Sequence, residues 1–185
     1  MIIGLSGYAR SGKDTVAGIL MGLHKYDNRS FANPMREILY KLNPIISSFD
    51  GSDMDIRIKD TVDALGWDKA KVNAPEIRRL LQVFGTEIGR NMIDENIWVN
   101  MAFKGIDFGD RIVFTDVRYP NEAQRVKEYY GEVWRIERLG VKAVNTHISE
   151  SSMDNWQFDR VIQNKGSIED LIGEVKLALG SFNDF

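Results

Sequence analysis

The feature that most constrains the fold is a glycine- and lysine-containing pattern directly after a short apolar run near the amino terminus. Ile2–Ser6 is apolar or small, and the next seven residues match the first seven positions of G-x-x-x-x-G-K-[ST], as Gly7-Tyr8-Ala9-Arg10-Ser11-Gly12-Lys13. Helical periodicity follows over residues 13–23. Because this pattern requires a strand before it and a helix after it, the segment predicts a loop whose backbone N–H groups bind phosphate.

Roles within this loop follow from the residue types. We expect Lys13 to reach the β- and γ-phosphates of a nucleotide. Asp14 stands where Ser or Thr is usual, and Thr15 follows it. We expect Thr15 to bond the α-phosphate and Asp14 to contact Mg²⁺ directly or through water, because a hard cation accepts carboxylate oxygens readily. The residues predicted to hold the nucleotide and its metal are Gly7, Arg10, Ser11, Gly12, Lys13, Asp14 and Thr15.

Short apolar runs alternate with helical patterns along much of the chain. Strands are expected over 2–6, 111–115, 132–136 and 159–162, with a weaker one over 29–32. Helices are expected over 13–23, 35–42, 121–130 and 168–179. This alternation predicts right-handed βαβ units and an α/β fold with a mainly parallel, five-stranded sheet.

Residues 43–106 break the alternation, and we expect them to form a largely helical insertion. Their first part, 43–73, is polar and carries no recognisable motif. Pro75 opens an amphipathic helix, since proline is tolerated at a first helical position. The apolar stripe of that helix is Ile77, Leu80, Leu81, Phe84 and Ile88. A second helix is expected over 93–103, and 140–156 forms a second irregular segment.

Composition excludes several classes of protein. The chain has no cysteine, which rules out a disulfide scaffold, a Cys-ligated zinc site and a thiol nucleophile. With 24 Lys+Arg against 27 Asp+Glu, the formal charge of −3 argues against a surface that binds nucleic-acid polymers. The first apolar run is too short for a signal peptide or a membrane span, so we expect a cytoplasmic protein with no membrane partner.

Further motifs follow the phosphate loop in a set order. They are Ala32-Asn33-Pro34-Met35-Arg36; Arg78-Arg79-Leu80 through Gln82 to Gly85-Thr86, with Trp98 beyond; Asp116-Val117-Arg118 with Asn121-Glu122; Thr146-His147-Ile148-Ser149-Glu150; and Asn164-Lys165-Gly166-Ser167. In this order the chain resembles the bacteriophage type of deoxynucleoside monophosphate kinase, within the P-loop nucleoside monophosphate kinase group. The resemblance implies one three-layer P-loop kinase domain over 1–185, with an acceptor-binding insertion over 43–106 and a lid over 140–156.

The activity implied by this resemblance is transfer of the γ-phosphoryl group of ATP to a deoxynucleoside 5′-monophosphate, with Mg²⁺, giving dNDP and ADP. The acceptor is already a phosphate oxyanion with a second pKa of about 6, so it needs no general base. Catalysis then depends on aligning two polyanions and neutralising their charge. We expect Lys13, Arg10 and Arg138 to be the catalytic cations, with Lys142 as an alternative to Arg138. In a virally encoded chain the location would be the host cytoplasm.

The resemblance also assigns residues to the acceptor: Arg36, Arg78, Arg79, Gln82, Gly85, Thr86, Trp98, Asp116, Arg118 and Glu122. Arg78 and Gln82 lie four apart and share a helix face. An arginine fork can hold a phosphate by two parallel bonds, while Gln82 could bond a base edge. The alternative for each cation is an ordinary solvated helix surface.

Other predicted site residues follow strand ends. Asp116 ends a strand, where a carboxylate suits either a Walker-B role towards Mg²⁺ or an acceptor contact. Glu122 has a plain alternative as a helix cap. The resemblance implies that Asn164 and Gly166 lie beside the donor adenine, in a turn that Ser167 and Asp170 would cap. His147 is interpreted as a hydrogen-bonding anchor of the lid.

Alternative functions remain at this point. Dephospho-coenzyme A kinases share a similar phosphate loop and a similar Asn-x-Gly-Ser turn. A nucleotide-binding switch without transferase activity is a second alternative, although no water-positioning residue or partner surface stands out. A DNA-remodelling motor fits poorly with the small size and the acidic balance. The apolar helices of the insertion are a candidate homodimer face.

Overall fold

The computed structural model describes residues 1–48, 55–141 and 152–180. Its helices and strands are numbered along the chain. They are β1 (Ile2–Ser6), α1 (Lys13–His24), β2 (Asp27–Arg29), α2 (Asn33–Leu42), β3 (Ile45–Ser48), β4 (Asp55–Arg57), α3 (Ile58–Asn73), α4 (Pro75–Gln82), a π-helix (Val83–Ile93), α5 (Ile97–Ala102), β5 (Ile112–Phe114), α6 (Pro120–Glu128), β6 (Glu132–Arg138), β7 (Arg160–Asn164) and α7 (Ile168–Gly180).

These elements belong to two compact units. Met1–Phe31 and the described residues from Phe103 onward make the first, and Ala32–Ala102 makes the second. The second unit therefore includes α2, which precedes the predicted insertion at residue 43.

The first unit is built on a five-stranded sheet with the order β2-β5-β1-β6-β7, and every neighbouring pair is parallel. β1 lies at the centre and is buried at all five positions, as expected for a parallel strand covered on both faces. The prediction of a mainly parallel five-stranded α/β sheet is confirmed. The carboxyl ends of β1, β5, β6 and β7 consequently share one edge, where open α/β sheets bind their ligands.

Helices cover both faces of this sheet. On one face, Ile3 and Leu5 of β1 share a buried cluster with Val16 of α1 and Val175 of α7. On the other face, Gly4 approaches α6 so closely that a Cβ would lie 3.3 Å from Cγ2 of Val126. The three layers follow from the alternation of side chains along β1, since successive residues face opposite sides.

The second unit combines helices with an antiparallel hairpin of β3 and β4. Its core contains Leu39, Ile58, Val62, Ala70, Ile77 and Leu81. α3 is kinked at Gly66, where φ is 72° and the backbone leaves the helical region. β3, β4 and α3 lie in the described residues of the stretch 43–73, for which the sequence carried no motif.

Two further local expectations differ from the structure. The weak strand expected over 29–32 forms instead over Asp27–Arg29, because pairing with β5 rather than apolar content sets this edge strand. The helix opened by Pro75 ends as an α-helix at Gln82 and continues as the π-helix. None of the helices in the described parts combines the length and apolarity that a membrane crossing requires.

Candidate active site

The phosphate loop joins β1 to α1 and takes its shape from three residues with positive φ. These are Gly7 at 143°, Arg10 at 67° and Gly12 at 106°. A Cβ on Gly7 would overlap the carbonyl oxygen of Ile136, so this position requires glycine for space as well as for φ. The loop is thus fitted closely against the carboxyl-terminal part of β6.

The start of α1 lacks a side-chain cap. Gly12 is the N-cap, and no side chain caps the first turn. The first N–H groups of a helix have no partner within the helix, and the helix dipole favours an anion beside them. This 12-residue helix therefore presents the donor set that a phosphate group requires.

Lys13 folds back across the loop. Its Nζ donates to the carbonyl oxygens of Gly7 at 2.6 Å and Tyr8 at 2.8 Å. The ammonium group is half-buried and lies against the loop carbonyls. An anion bound there would meet a cation already in place.

Asn164 holds the loop from the end of β7. Its Nδ2 donates to the carbonyl oxygen of Ser11 at 2.9 Å, and a Cβ on Gly12 would overlap the same Nδ2. Ser11 is 2% exposed, and its Oγ has no hydrogen-bond partner among the described residues. The predicted donor-side residue Asn164 therefore supports the phosphate loop itself.

The metal-binding expectation concerns oxygen ligands at the start of α1. Asp14 and Thr15 are both exposed in the first turn. No cluster of three or more His, Cys, Asp or Glu side chains suited to a metal occurs among the described residues. Asp14 and Thr15 on their own fit Mg²⁺, because this ion usually keeps several waters and takes one or two protein oxygens together with substrate phosphates.

Asp116, predicted at the end of β5, bonds to the segment that follows β2. Oδ2 accepts from the hydroxyl of Ser30 at 2.6 Å, and Oδ1 accepts from the N–H of Phe31 at 2.9 Å. The carboxylate thus joins two neighbouring strand ends. Its expected contact with Mg²⁺ or acceptor stays a prediction.

Glu122 makes the hydrogen bonds of a cap at the start of α6. It is 2% exposed, and its Oε2 accepts from the N–H groups of Arg118 at 2.7 Å and Tyr119 at 3.1 Å. The hydroxyl of Ser152 also donates to the carbonyl of Arg118. Glu122 therefore shapes the turn that carries Arg118, and a direct substrate contact by this buried carboxylate stays a prediction.

A small cleft beside the loop collects predicted and unpredicted residues. It is lined by Ser6, Gly7, Ala9, Lys13, Val117, Arg118, Arg135 and Met153. Lys13 and Arg118 were expected near phosphates, whereas Arg135 was not among the predicted site residues. The sequence did carry a signal for Arg135, because it is a charged residue among the apolar residues Val133, Trp134 and Ile136, which are buried in the structure.

A second groove lies beside the loop and the carboxyl end of β6. It is lined by Tyr8, Ser11, Arg135, Ile136, Glu137, Arg138, Leu139, Gly140, Val141, Gln163 and Lys165. Parallel pairing sets Arg138 opposite Asn164, which brings a predicted catalytic cation beside the residue that holds Ser11. Arg10 is exposed at the turn of the loop, and its catalytic role stays a prediction.

The turn before α7 has the predicted cap. The Ser167 N–H donates to Oδ2 of Asp170 at 2.8 Å, and the Asp170 N–H donates to Oγ of Ser167 at 3.2 Å. A Cβ on Gly166 would overlap the Asp170 carboxylate. The capping box is therefore confirmed, and it explains this glycine without a ligand.

In the second unit, the two adjacent arginines of α4 differ. Arg79 forms two parallel bonds with Glu76, at 2.8 and 2.7 Å. These bonds raise the pKa of Arg79 and lower the pKa of Glu76. Arg78 is exposed and makes no ion pair with any residue in the described parts of the chain. Gln82, one turn after Arg78, is also exposed.

Three further predicted acceptor residues of this unit, Gly85, Thr86 and Trp98, lie in or beside the π-helix. Gly85 is buried, and a Cβ there would lie 2.6 Å from Sδ of Met35 on α2. Trp98 is 4% exposed and its indole N–H donates to the Gly85 carbonyl at 2.7 Å. Thr86 is half-buried in the same helix. Packing against α2 and α5 therefore explains Gly85 without a ligand.

Arg36 is half-buried on α2, and its guanidinium carbon lies 6.0 Å from the ring centre of Trp67 on α3. The expected lid is described only at 140–141 and 152–156. Lys142 and the motif at 146–150, with His147 and Glu150, lie outside the described residues.

Comparison with known proteins shows which family the chain matches. Residues 67–175 match the family model described as deoxynucleotide monophosphate kinase. The chain is 32% identical over 142 residues to the deoxynucleotide monophosphate kinase of Escherichia phage RB69, covering 73% of this chain and 57% of that protein.

Two other relatives carry related names. The deoxynucleotide monophosphate kinase of Enterobacteria phage T4 is 25% identical over 238 residues, covering 96% of this chain and 98% of that protein. The deoxynucleoside-5'-monophosphate kinase of Escherichia phage T5 is 27% identical over 183 residues, covering 69% of this chain and 72% of that protein.

Proposed function

The chain belongs to the deoxynucleotide monophosphate kinase family, and on this premise we propose that it transfers the γ-phosphoryl group of ATP to a deoxynucleoside 5′-monophosphate, giving the diphosphate and ADP. The family match carries the choice of acceptor. The uncapped start of α1 with Lys13 supports a polyphosphate donor.

In this reaction the bond between the γ-phosphorus and the oxygen that bridges to the β-phosphate breaks, and a bond to an acceptor phosphate oxygen forms. The acceptor oxygen is already ionised near neutral pH, so no side chain needs to remove a proton. The protein must instead align the two phosphates and neutralise their charge.

At the donor end, the N–H groups at the start of α1 would bind phosphate oxygens. Lys13 would exchange its bonds to the carbonyls of Gly7 and Tyr8 for bonds to the β- and γ-phosphates. Asn164 would keep the loop in place by its bond to Ser11, and Arg138 at the end of β6 would add charge beside the donor.

Mg²⁺ would be held by Asp14 or Thr15, together with water and phosphate oxygens, because both side chains are exposed at the start of α1. Bound there, the ion would neutralise charge on the donor phosphates. Asp116 would act from the neighbouring strand end, with its position set by Ser30 and Phe31.

At the acceptor end we assign the leading role to Arg78, because it is exposed and has no ion pair among the described residues. Gln82 on the same face would contact the base. Arg36, Arg79 and Thr86 are secondary candidates, and Gly85 with Trp98 would act by shaping the helix that carries Thr86.

The experiment mixes the purified protein with Mg-ATP and each of the four deoxynucleoside monophosphates, and measures diphosphates by chromatography. Dephospho-coenzyme A and a no-acceptor reaction serve as comparisons. We expect diphosphate from at least one deoxynucleotide and negligible ATP hydrolysis alone. Phosphorylation of dephospho-coenzyme A with no deoxynucleoside diphosphate would overturn the proposal, as would ATP hydrolysis that no acceptor increases.

A further inference from the structure

Arg135 is a cation of the cleft to which neither the phosphate loop nor the family motifs assign a role. It lies on β6 directly beside Ser6, the last residue of β1. Its side chain is 11% exposed, and it lines the cleft together with Lys13 and Arg118. A guanidinium is costly to bury, so its surroundings should show what it is held there to do.

Two aromatic rings hold this guanidinium. Its central carbon lies 4.7 Å from the ring centre of Tyr8 and 5.4 Å from that of Phe158. Both distances are within the range of cation–π attraction. Such contacts restrict the orientation of the guanidinium but leave its positive charge in place. Because Tyr8 belongs to the phosphate loop, the position of Arg135 is tied to the loop.

The acidic partner of Arg135 balances its charge weakly. Nη2 lies 3.3 Å from Oδ1 of Asp154, which is long for a charge-assisted hydrogen bond. The Asp154 side chain is 38% exposed, so solvent screens the pair, and the same oxygen also accepts from the Tyr8 hydroxyl at 3.0 Å. Much of the charge of Arg135 therefore remains available to a ligand.

The charges around the cleft have one sign. Among the described residues that line it, Lys13, Arg118 and Arg135 are cationic and none is acidic. Three cations around one small cleft repel each other unless an anion joins them. A group with several negative charges, such as a polyphosphate, fits this arrangement.

We propose that Arg135 is a binding residue for the donor polyphosphate, donating from the sheet to the phosphoryl oxygens that Lys13 also reaches. The inference rests on the proposed function in taking the donor to be ATP. The inference adds Arg135, a cation within β6, to the donor site. The cation expected from the sequence was Arg138, at the end of the same strand.

The primary test compares Arg135→Gln with the wild type by calorimetric titration with Mg-ATP and with inorganic tripolyphosphate. We expect at least a tenfold loss of affinity for both ligands, since the contact is to phosphate and not to the base. kcat should fall about a hundredfold, as for removal of one donor to developing charge.

A matched control is Arg160→Gln. Arg160 also lies in the sheet, on β7, with a side chain that is 26% exposed and paired with Glu132 at 2.9 Å. It is the first residue of β7, at the opposite end from Asn164. We expect its affinity for both ligands to stay within twofold of the wild type.

Asp154→Asn separates binding from a merely structural ion pair. If Arg135 only held Asp154 and Tyr8, both variants would lose the same thermal stability and the same ATP affinity. We expect them to diverge, with Asp154→Asn binding ATP within threefold of the wild type because both rings still hold the guanidinium. Equal losses in the two variants would overturn the proposal.

Arg135→Lys keeps the test valid if Arg135→Gln does not fold. It retains the charge but loses the planar fork, so ATP affinity should fall severalfold at an unchanged melting temperature. Wild-type affinity in Arg135→Lys or in a folded Arg135→Gln would overturn the inference.

The outcomes also distinguish this inference from the proposed function. Tripolyphosphate binding that depends on Arg135, in a wild type that phosphorylates no deoxynucleotide, would support the Arg135 assignment and refute the acceptor. Normal deoxynucleotide phosphorylation by Arg135→Gln, with unchanged ATP affinity, would refute the assignment alone.

Discussion

The phosphate loop and the π-helix both depend on glycines, and they use the missing side chain differently. In the loop, Gly7 and Gly12 have φ of 143° and 106°, and the N–H groups that follow Gly12 have no side-chain cap. Ile136 and Asn164 approach the two glycines from outside the loop, at the sites where a Cβ would be. The protein thus packs against both glycines of the loop, while the start of α1 has no side-chain cap.

In the π-helix the protein itself fills the space. Met35 packs against Gly85, and the ring of Trp98 occupies the position that a Cβ on Gly89 would take. The Trp98 N–H also bonds the Gly85 carbonyl, which uses a backbone acceptor of the helix. The same residue type therefore shapes the proposed phosphate-binding loop in one region and allows close helix packing in the other.

This comparison has its largest expected consequence at Lys13. Lys13→Ala should lower kcat about a thousandfold, because it removes the cation that would neutralise developing phosphate charge. Its melting temperature should stay close to that of the wild type, since the lost bonds are to loop carbonyls. Steady-state kinetics and thermal melts test this.

Lys41→Ala is the control for Lys13→Ala. Lys41 is exposed and paired with Glu37 one helical turn away, so its removal should leave turnover unchanged. Normal turnover in Lys13→Ala would refute the phosphate-loop assignment.

Alanine at the two kinds of glycine tests the comparison itself. Gly12→Ala should lower ATP affinity at least tenfold, because a positive φ and the overlap with Asn164 both disturb the loop. Gly85→Ala should lower stability by about 1–3 kcal/mol through overpacking against Met35, with ATP affinity within threefold of the wild type. Calorimetric titration and denaturant unfolding measure both quantities.

The double variant Gly85→Ala/Met35→Ala identifies the contact responsible. If overlap with Met35 causes the instability, the two changes together should cost less than the sum of their separate effects. Strict additivity, or an equal loss of ATP affinity in Gly12→Ala and Gly85→Ala, would contradict the distinction between the two regions.

Arg78 and Arg79 extend the comparison to side chains. Arg78→Ala should raise the KM for the deoxynucleotide about tenfold or more, the size expected for loss of a hydrogen bond to a charged group. Arg79→Ala should have a smaller effect, because Glu76 already occupies its fork. Neither change should alter the affinity for ATP.

Initial-rate kinetics with each substrate varied in turn tests this pair. An equal rise in the KM for ATP and for the deoxynucleotide in Arg78→Ala would show that Arg78 has no specific role towards the acceptor.

The smallest expected effect is the pH dependence of the Glu76–Arg79 pair. The ordinary pKa of Glu76 is 4.5, and the hydrogen bonds from Arg79 lower it in the folded protein. A lowered carboxyl pKa adds stability that is present above the unfolded value and is lost as the pH falls through the folded value. Glu76→Gln should therefore melt slightly below the wild type at pH 7, and the difference should shrink below pH 4.5.

Thermal melts across this pH range measure the effect. Glu128→Gln is the control for an exposed pair of the same spacing, with Arg125 on α6. A difference in melting temperature that grows as the pH falls would contradict the assigned pKa direction.

The sequence by itself determined the elements whose signals are local. β1, the phosphate loop and α1 could be predicted because the apolar run, the glycines and the helical periodicity lie within two dozen residues. β5, β6 and β7 followed from their apolar runs, and the Ser167–Asp170 cap followed from its spacing. The alternative role of Glu122 as a helix cap could also be predicted, because a carboxylate near the start of a helix is favoured by the helix dipole.

Tertiary structure alone decided how the site is supported. Asn164 bonds Ser11 across 153 residues, and Asp116 bonds Ser30 across 86, so no local pattern could indicate either contact. β2 forms over Asp27–Arg29, two of whose residues are exposed, because strand pairing rather than apolar content places it. Arg135 enters the cleft because parallel pairing sets it beside Ser6, where Tyr8 and Phe158 hold its guanidinium. Such contacts depend on which strand ends meet at the sheet edge, and that is a property of the assembled sheet.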